Sequence, residues 1–145
     1  MNPILGIDLG AARIGIAISD DLRLLAHPLE TISGEKNAIS RIAEIARAKK
    51  IEKVVVGVPR NMDGSFGAAA EKALQFAEKL RAAANCPVVT WDERLTSVAA
   101  NRQMREAGRK TKKTRAYIDQ VAAQMILQSY LDWLRRAATP KEMLR

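Results

Sequence analysis

The sequence predicts an α/β fold in which a mixed five-stranded sheet is flanked by helices, in the order βββαβαβαα. Three consecutive runs with strand-like patterns open the chain, over Ile4–Leu9, 14–19 and 22–32. After them, short β-branched runs alternate with stretches of helical periodicity. Because an antiparallel meander is followed by crossover connections, the predicted sheet contains both parallel and antiparallel pairs.

The spacing of apolar and helix-breaking residues defines the individual elements. Four residues separate the first two strands, few enough for a hairpin, and Asp20 and Asp21 supply the turn before the third. Lys53–Val58 is a β-branched run of the kind buried on both faces of a sheet, and 87–91 is the last strand. Apolar residues at helical spacing predict four helices, over 38–46, 70–80, 97–107 and about 115–136.

This order of elements is that of the ribonuclease H-like fold. A dinucleotide-binding Rossmann domain would instead alternate strands and helices from its start, with Gly-x-Gly-x-x-Gly after the first strand. The glycines around the first strand are Gly6, Gly10 and Gly15, so dinucleotide binding is not predicted. We expect one domain over residues 1–138 and a C-terminal tail over 139–145.

The composition is that of a globular domain of 145 residues, 48% of them hydrophobic. No apolar run approaches the ~18 residues of a membrane span, and the N-terminus lacks the basic start and cleavage site of a signal peptide. The single cysteine, Cys86, cannot form an internal disulfide, and the single histidine, His27, excludes His-based triads and His-rich zinc sites. We therefore expect a cytoplasmic protein with no membrane partner.

Positive charge is concentrated in one segment. Lys and Arg number 24 against 16 Asp and Glu, and residues 94–115 contain eight basic residues and one acid, a net charge of +7. Clustered positive charge is typical of proteins that bind a polyanion, so nucleic acid is the predicted partner. A solvated helix face followed by a basic loop is the alternative. The basic residues are Arg94, Arg102, Arg105, Arg109, Lys110, Lys112, Lys113 and Arg115.

Three acidic residues lie in apolar sequence. Asp8 closes the apolar run over residues 4–7 of the first strand, Glu93 follows the last strand and Asp92, and Asp119 lies on the apolar stripe of the final helix. A carboxylate in apolar surroundings costs free energy unless a cation meets it. Three such residues, from two strand ends and one helix, indicate a shared divalent metal ion. This arrangement predicts phosphodiester chemistry.

Each acid also has a simpler interpretation. Asp8 could be a turn residue at the end of a strand, and Asp119 could be a first-turn acid favoured by the helix dipole. Side chains alternate along a strand, so only one of Asp92 and Glu93 can face the site. Glu93 is the residue that we predict to do so.

Four blocks of the sequence carry a family resemblance. They are Gly6-Ile7-Asp8-Leu9-Gly10 with residues 13–20, Val56-Gly57-Val58-Pro59 with 62–65, Asp92-Glu93-Arg94-Leu95-Thr96-Ser97, and Ile118-Asp119 with 122–132. In this order, over nearly the whole chain, they resemble the YqgF family of Holliday-junction-resolvase-like proteins. The resemblance implies a ribonuclease H-like fold and a bacterial nuclease that matures the 5′ end of 16S ribosomal RNA, with Holliday-junction resolution as the older assignment.

The chemistry of such a nuclease agrees with the residues present. Asp8, Glu93 and Asp119 are predicted to be catalytic and to hold Mg²⁺ or Mn²⁺, because hard cations prefer oxygen ligands and water and phosphate can complete the coordination. We expect Asp8 to bridge two ions, Glu93 to hold one, and Asp119 to hold or orient the other.

The nucleic-acid contacts are predicted to come from basic residues and one loop. Arg13 could hold the scissile phosphate or be an ordinary surface arginine. The helix after Asp63-Gly64-Ser65 could bind a phosphate through its N-terminal amides, and helix capping by Ser65 is the alternative. The predicted set is Arg13, Ser65, Arg94, Arg109, Lys110, Lys112, Lys113 and Arg115.

Structured RNA, pre-16S ribosomal RNA in a ribosomal subunit, is the predicted partner, and a DNA junction is the alternative because the acids serve either substrate. Residues 6–10 also resemble the first phosphate motif of the actin, Hsp70 and sugar-kinase ATPases, but those proteins need two such domains to enclose ATP. A non-catalytic RNA-binding ribosome-assembly factor is the third interpretation. The three acids disfavour it, because a pure binding protein gains nothing from buried carboxylates.

Overall fold

The computed structural model describes residues 2–10, 12–96 and 112–138, and in the last segment it describes the side chains of 116–137. The five strands are β1 (Ile4–Leu9), β2 (Arg13–Ser19), β3 (Ala26–Ser33), β4 (Lys53–Val58) and β5 (Val88–Asp92). The helices are α1 (Glu35–Ala48), α2 (Ala68–Ala84) and α3 (Lys112–Ala138), and a 3-10 turn spans Glu93–Leu95.

The strands form one mixed sheet in the order β3-β2-β1-β4-β5. β1, β2 and β3 pair antiparallel, whereas β1 pairs parallel with β4 and β4 pairs parallel with β5. The predicted fold class and the mixed five-stranded sheet are confirmed. The helix predicted over residues 97–107 and the tail over 139–145 lie outside the described residues.

The two faces of the sheet are covered by different helices. Alternate residues of the strands, such as Leu5 and Ile7, pack with α1 and α2 in the larger part of the core. The residues between them, such as Ile4 and Val55, pack against α3. Since side chains alternate along a strand, Asp8 lies on the face that α3 covers, one residue beyond Ile7.

The third strand begins later than predicted. The expectation of 22–32 is wrong at its start, because β3 begins at Ala26 and ends at Ser33. The Asp20 carboxylate accepts hydrogen bonds from the amides of Leu24 and Leu25, at 2.8 and 3.3 Å, and its own amide donates to the Leu25 carbonyl. These bonds close a turn over residues 20–25, so those amides are not available to a sheet.

The last helix starts before the predicted residue 115, at Lys112, and ends at Ala138. It fixes the start of β3, because the Gln128 side chain accepts from the Ala26 amide and donates to the Leu24 carbonyl. Within the part of the chain that the structure describes, no helix is both long and apolar enough to cross a membrane.

Candidate active site

Asp8 lies at the end of the central strand, beneath α3. Its side chain is buried, with 1% exposure. On one side its cross-strand partner in β2 is Gly15. On the other side Ile7 pairs with Val56, and Gly57 is the next residue of β4. Asp8 therefore lies between two strands that carry glycines at this level, which lets α3 and the Glu93 side chain pack close to the sheet beside it.

Glu93 reaches the same face from the turn after β5. Its side chain is also 1% exposed. A Cβ added at Gly57 would lie 3.1 Å from Glu93 Cγ and 2.5 Å from Ile126 Cδ1 of α3. The glycine at position 57 thus provides space for the Glu93 and Ile126 side chains, and an added Cβ there would press on both.

Asp92 points to the other side of the strand end. Its carboxylate accepts from the Arg94 amide at 2.9 Å and from Arg94 Nη2 at 2.7 Å, and it lies 3.5 Å from Arg60 Nη1. The hydrogen bonds from Arg94 lower the pKa of the Asp92 carboxyl below its ordinary value of 3.8. Asp92 thus caps the 3-10 turn, and the turn carries Glu93 inward.

Asp119 lies in the interior of α3, seven residues after its start at Lys112. The alternative of a first-turn acid is therefore wrong. The helix backbone at this residue rests directly on Gly15, since a Cβ added there would overlap the Asp119 carbonyl. Arg13 Nε donates to Asp119 Oδ2 at 2.7 Å, and both side chains are largely buried. Arg13 is accordingly a partner of Asp119 and not an ordinary surface arginine.

The three predicted acids thus come to one end of one face of the sheet, from β1, the 3-10 turn and α3. They do not form a ready-made cluster, because within residues 2–10, 12–96 and 112–138 no group of three or more His, Cys, Asp or Glu side chains could hold a metal ion as placed. The ion pair with Arg13 directs one Asp119 oxygen toward β2.

The donor set nevertheless fits a hard divalent cation. Two buried carboxylates, Asp8 and Glu93, lie on the same face, and the third acid lies beside the cross-strand partner of Asp8. Carboxylate oxygens with room for water and phosphate are the ligands that Mg²⁺ and Mn²⁺ take in proteins. Bound there, such an ion would also offset the free-energy cost of burying like charges together.

Ser65 lies in the loop between β4 and α2, two residues before the helix N-cap. Capping of α2 by Ser65 is wrong, because the N-cap is Gly67. Ser65 Oγ donates to Asp63 Oδ1 at 2.6 Å and accepts from Asn61 Nδ2 at 2.9 Å. The Ser65 hydroxyl therefore organises the loop, and the hydrogen bonds that it and its amide donate lower the pKa of the Asp63 carboxyl.

The remaining predicted contacts lie partly beyond the described side chains. Arg94 is in the 3-10 turn, beside Asp92. Lys112, Lys113 and Arg115 belong to the first turn of α3, where only the backbone is described. Arg109 and Lys110 lie outside the described residues.

Arg60 is a cation at this end of the sheet that the sequence prediction missed. Its guanidinium lies 4.4 Å from the centroid of the Phe66 ring, and its Nε donates to the Gly64 carbonyl at 2.9 Å. With Arg94 it shares the Asp92 carboxylate. Its position two residues after β4 was the available signal, since strand ends on this edge of the sheet carry other predicted site residues.

Close relatives of the chain carry one functional name. A protein of Acetivibrio thermocellus, named as a candidate pre-16S rRNA nuclease, is 47% identical over 133 residues, covering 89% of this chain and 94% of that protein. A Listeria monocytogenes protein with the same name is 46% identical over 133 residues, covering 89% and 96%. Another from Syntrophus aciditrophicus is 40% identical over 141 residues, covering 96% and 94%.

Solved structures share the fold at lower identity. The structure of T. thermophilus RuvC in complex with a Holliday junction substrate has a TM-score of 0.65 at 16% identity, covering 96% of this chain and 98% of that chain. A further Thermus thermophilus RuvC structure has a TM-score of 0.57 at 16% identity, covering 93% and 96%. A family model described as RuvX, Holliday junction resolvase, matches residues 2–133. The predicted relationship is thus confirmed, and the chain belongs to the RuvX (YqgF) family.

Proposed function

We propose that this protein is a metal-dependent nuclease that hydrolyses phosphodiester bonds in the 5′-end maturation of pre-16S ribosomal RNA, in the cytoplasm. The names of its relatives support this substrate. The observation that carries the proposal is the burial of Asp8 and Glu93 on one face of the sheet, with Asp119 above the neighbouring strand. Buried carboxylates contribute little to a pure RNA-binding surface, because binding a polyanion requires positive charge.

In this proposal Asp8, Glu93 and Asp119 hold Mg²⁺ or Mn²⁺. When bound, the metal supplies an activated water and stabilises charge on the leaving oxygen. The chain positions the ligands through its backbone: β1 fixes Asp8, the capped 3-10 turn fixes Glu93, and the contact with Gly15 fixes the backbone of Asp119.

The nucleic acid is proposed to cross the end of the sheet where these acids lie. Arg13 pairs with Asp119, and Arg60 and Arg94 bind Asp92 at the same end of the sheet. Arginine binds phosphate oxygens with two parallel hydrogen bonds. The loop that contains Ser65 lies beside Arg60 and Arg94. The basic segment that includes Arg109, Lys110, Lys112, Lys113 and Arg115 is proposed to follow the phosphate backbone.

A Holliday-type DNA junction is the second candidate substrate. The description of the matching family model favours it. The same acids and arginines would act on either substrate, since metal-assisted hydrolysis and phosphate binding do not distinguish RNA from DNA at the scissile group.

The test is cleavage of a 5′-extended 16S precursor RNA by wild type and Asp8→Asn, with Mn²⁺ or with EDTA. We expect Mn²⁺-dependent cutting by wild type and none by Asp8→Asn, with RNA affinity in EDTA nearly unchanged. Asp21→Asn, the same chemical change at an exposed residue, is the matched control and should cut like wild type. Cutting by Asp8→Asn would remove Asp8 from the site, and cutting only of a four-way DNA junction would favour the second candidate.

Asp8→Asn also tests the metal site without a substrate. Asp8 and Glu93 are both buried at one end of one face, and Arg13 pairs with the third acid, Asp119. Removing the charge of Asp8 should therefore stabilise the protein in EDTA by about 1 kcal/mol, which raises the melting temperature by roughly 4 °C. Mn²⁺ should then stabilise wild type more than Asp8→Asn, because only wild type retains the full ligand set. An equal response of both proteins to Mn²⁺ would contradict metal binding at Asp8.

A further inference from the structure

Arg13 and Asp119 form an ion pair between the start of β2 and the interior of α3. Arg13 Nε lies 2.7 Å from Asp119 Oδ2, and the two side chains are 23% and 14% exposed. A partly buried pair is screened less by salt than a pair on the open surface. The Arg13 guanidinium therefore neutralises one of the three acids in the structure described here.

The backbone of Asp119 is held in place while its side chain has two alternative uses. Gly15 packs against the Asp119 carbonyl, and Thr31 Oγ1 donates to the Ala116 carbonyl at 2.6 Å, one turn earlier in α3. Both contacts fix this part of the helix against β2 and β3. A change of partner for the carboxylate is therefore a rotation of the side chain and does not require the helix to move.

A divalent ion held by Asp119 would share that carboxylate with the Arg13 guanidinium. Two cations close to one carboxylate repel each other. In the part of the chain described, the acids as placed do not form a three-residue metal cluster. A metal ion that takes Asp119 Oδ2 as a ligand would displace Arg13 from it. A metal ion on the other oxygen would lie close to the guanidinium, and the repulsion between the two cations would weaken both contacts.

A phosphate group offers the guanidinium another partner. Arginine binds phosphate oxygens as readily as it binds a carboxylate, with the same fork of N–H donors. We propose, on the basis of the proposed nuclease function, that Arg13 is a positioning residue that holds Asp119 until a phosphate of the nucleic acid binds the Arg13 guanidinium. Nucleic-acid binding and divalent-metal binding are then coupled through this ion pair.

The proposal is tested by measuring the Kd for Mn²⁺ in the absence of nucleic acid, by titration calorimetry. Arg13→Gln removes the competing cation, so it should bind Mn²⁺ about five-fold or more tightly than wild type, the scale of a typical coupling between sites. Arg13→Lys keeps the charge and should return the Kd toward the wild-type value. Arg41→Gln, which removes an arginine paired with Glu30 at 2.9 Å on the other side of the sheet, is the matched control and should leave the Kd unchanged.

A double-mutant cycle assigns the effect to the pair. In an Asp119→Asn background, Arg13→Gln should no longer change the Kd for Mn²⁺, because the contested carboxylate is absent. A cleavage-resistant phosphorothioate oligonucleotide should tighten Mn²⁺ binding more in wild type than in Arg13→Gln. Melting curves in EDTA verify that each variant is folded.

Equal or weaker Mn²⁺ binding by folded Arg13→Gln would overturn the proposal, because Arg13 would then align Asp119 for the metal or play no part in it. An effect that persists in the Asp119→Asn background would overturn it as well. The outcome is separable from the proposed function. If wild type cleaves but Arg13→Gln does not bind Mn²⁺ more tightly, only this inference fails. If Arg13→Gln binds Mn²⁺ more tightly but wild type cleaves nothing, the role of the ion pair stands and the proposed nuclease function fails.

Discussion

At the scale of single residues, three glycines determine how closely α3 approaches the sheet. A Cβ added at Gly6 would lie 2.6 Å from Leu127 Cβ, and one at Gly57 would lie 2.5 Å from Ile126 Cδ1. At Gly15 the added atom would meet the backbone of Asp119 itself. These are requirements for space and not for unusual backbone angles, and they place the helix against the strand backbones on the face that holds the acids.

Gly15→Ala should therefore damage both stability and the site. The overlap is with the backbone carbonyl of Asp119, which cannot rotate away, so α3 has to shift at a cost of about 1–3 kcal/mol. Asp119 would shift with it, and Mn²⁺-induced stabilisation should decrease. The melting temperature in EDTA and in Mn²⁺ measures both effects.

Gly67→Ala is the matched control for this substitution. A Cβ there would meet only the Asn61 side chain, at 3.4 Å or more. We expect a much smaller loss of stability and a full response to Mn²⁺. An equal loss in the two variants would mean that the contact between Gly15 and α3 is not what fixes the helix.

At the scale of elements, the turn after β5 depends on Asp92. This residue ends the strand, caps the 3-10 turn and binds the Arg94 side chain. Glu93 faces the interior because the cap makes the chain turn directly after Asp92. Sequence alternation predicts that one acid of the pair faces inward, and the favoured assignment to Glu93 agrees with the burial of that side chain, although its role as a ligand stays a prediction.

Asp92→Asn should give a loss of stability that depends on pH. The pKa of the Asp92 carboxyl is lower in the folded protein than its ordinary value of 3.8. The charged carboxylate therefore stabilises the folded protein at pH values above 3.8. This contribution is lost as the pH falls through the lowered pKa. Asparagine keeps an acceptor for the Arg94 amide and removes the charge. Wild type should be more stable by about 1 kcal/mol at pH 7, with the difference shrinking below about pH 4.

Urea denaturation at pH 7 and at pH 3 measures that difference. Arg94→Gln removes the other member of the pair and should show the same dependence on pH. A difference between wild type and Asp92→Asn that is as large at pH 3 as at pH 7 would contradict a charge-based contribution.

The helices and strands were predicted correctly where the sequence pattern is local. The prediction failed where a side chain accepts hydrogen bonds from backbone amides that a strand would use. β1 and β4 have the predicted bounds because each is a short run dominated by apolar residues. The start of β3 was wrong because Leu22, Leu24 and Leu25 suggested a strand, whereas these residues are exposed around the turn that Asp20 closes. The pairing of Arg13 with Asp119 joins residues 106 positions apart, so no local pattern could have indicated it.

At the scale of the whole molecule, the positive charge is concentrated in one stretch of the sequence. The chain carries a formal net charge of +8, and the segment 94–115 contributes +7 of it. Arg13, Arg60 and Arg94 lie at the end of the sheet where the acids are. Binding of a polyanion should therefore be concentrated at one end of the molecule and depend steeply on salt.

Neutralising Lys110, Lys112 and Lys113 should weaken nucleic-acid binding and reduce its salt dependence. The slope of log K against log salt concentration should fall by roughly 0.7–0.9 for each phosphate that the variant no longer neutralises. Fluorescence anisotropy in EDTA over a series of salt concentrations measures the slope.

The matched control removes the same charge at the opposite end of the sheet, by changing Arg47, Lys49 and Lys50 to Gln. These three residues are exposed around the end of α1. The slope of log K against log salt concentration for this triple variant should stay close to that of wild type. Equal slopes for the two triple variants would mean that net charge alone, and not the basic segment, determines binding.

The strand order has a consequence for how the site comes apart. β1 is the middle strand, paired on both sides, whereas β5 is an edge strand and Glu93 follows it directly. Local opening begins at edges, where a strand has neighbours on one side only. Asp8 would thus keep its place through fluctuations that release Glu93, and amide exchange around the site should be graded, slowest along β1 and fastest at the end of β5.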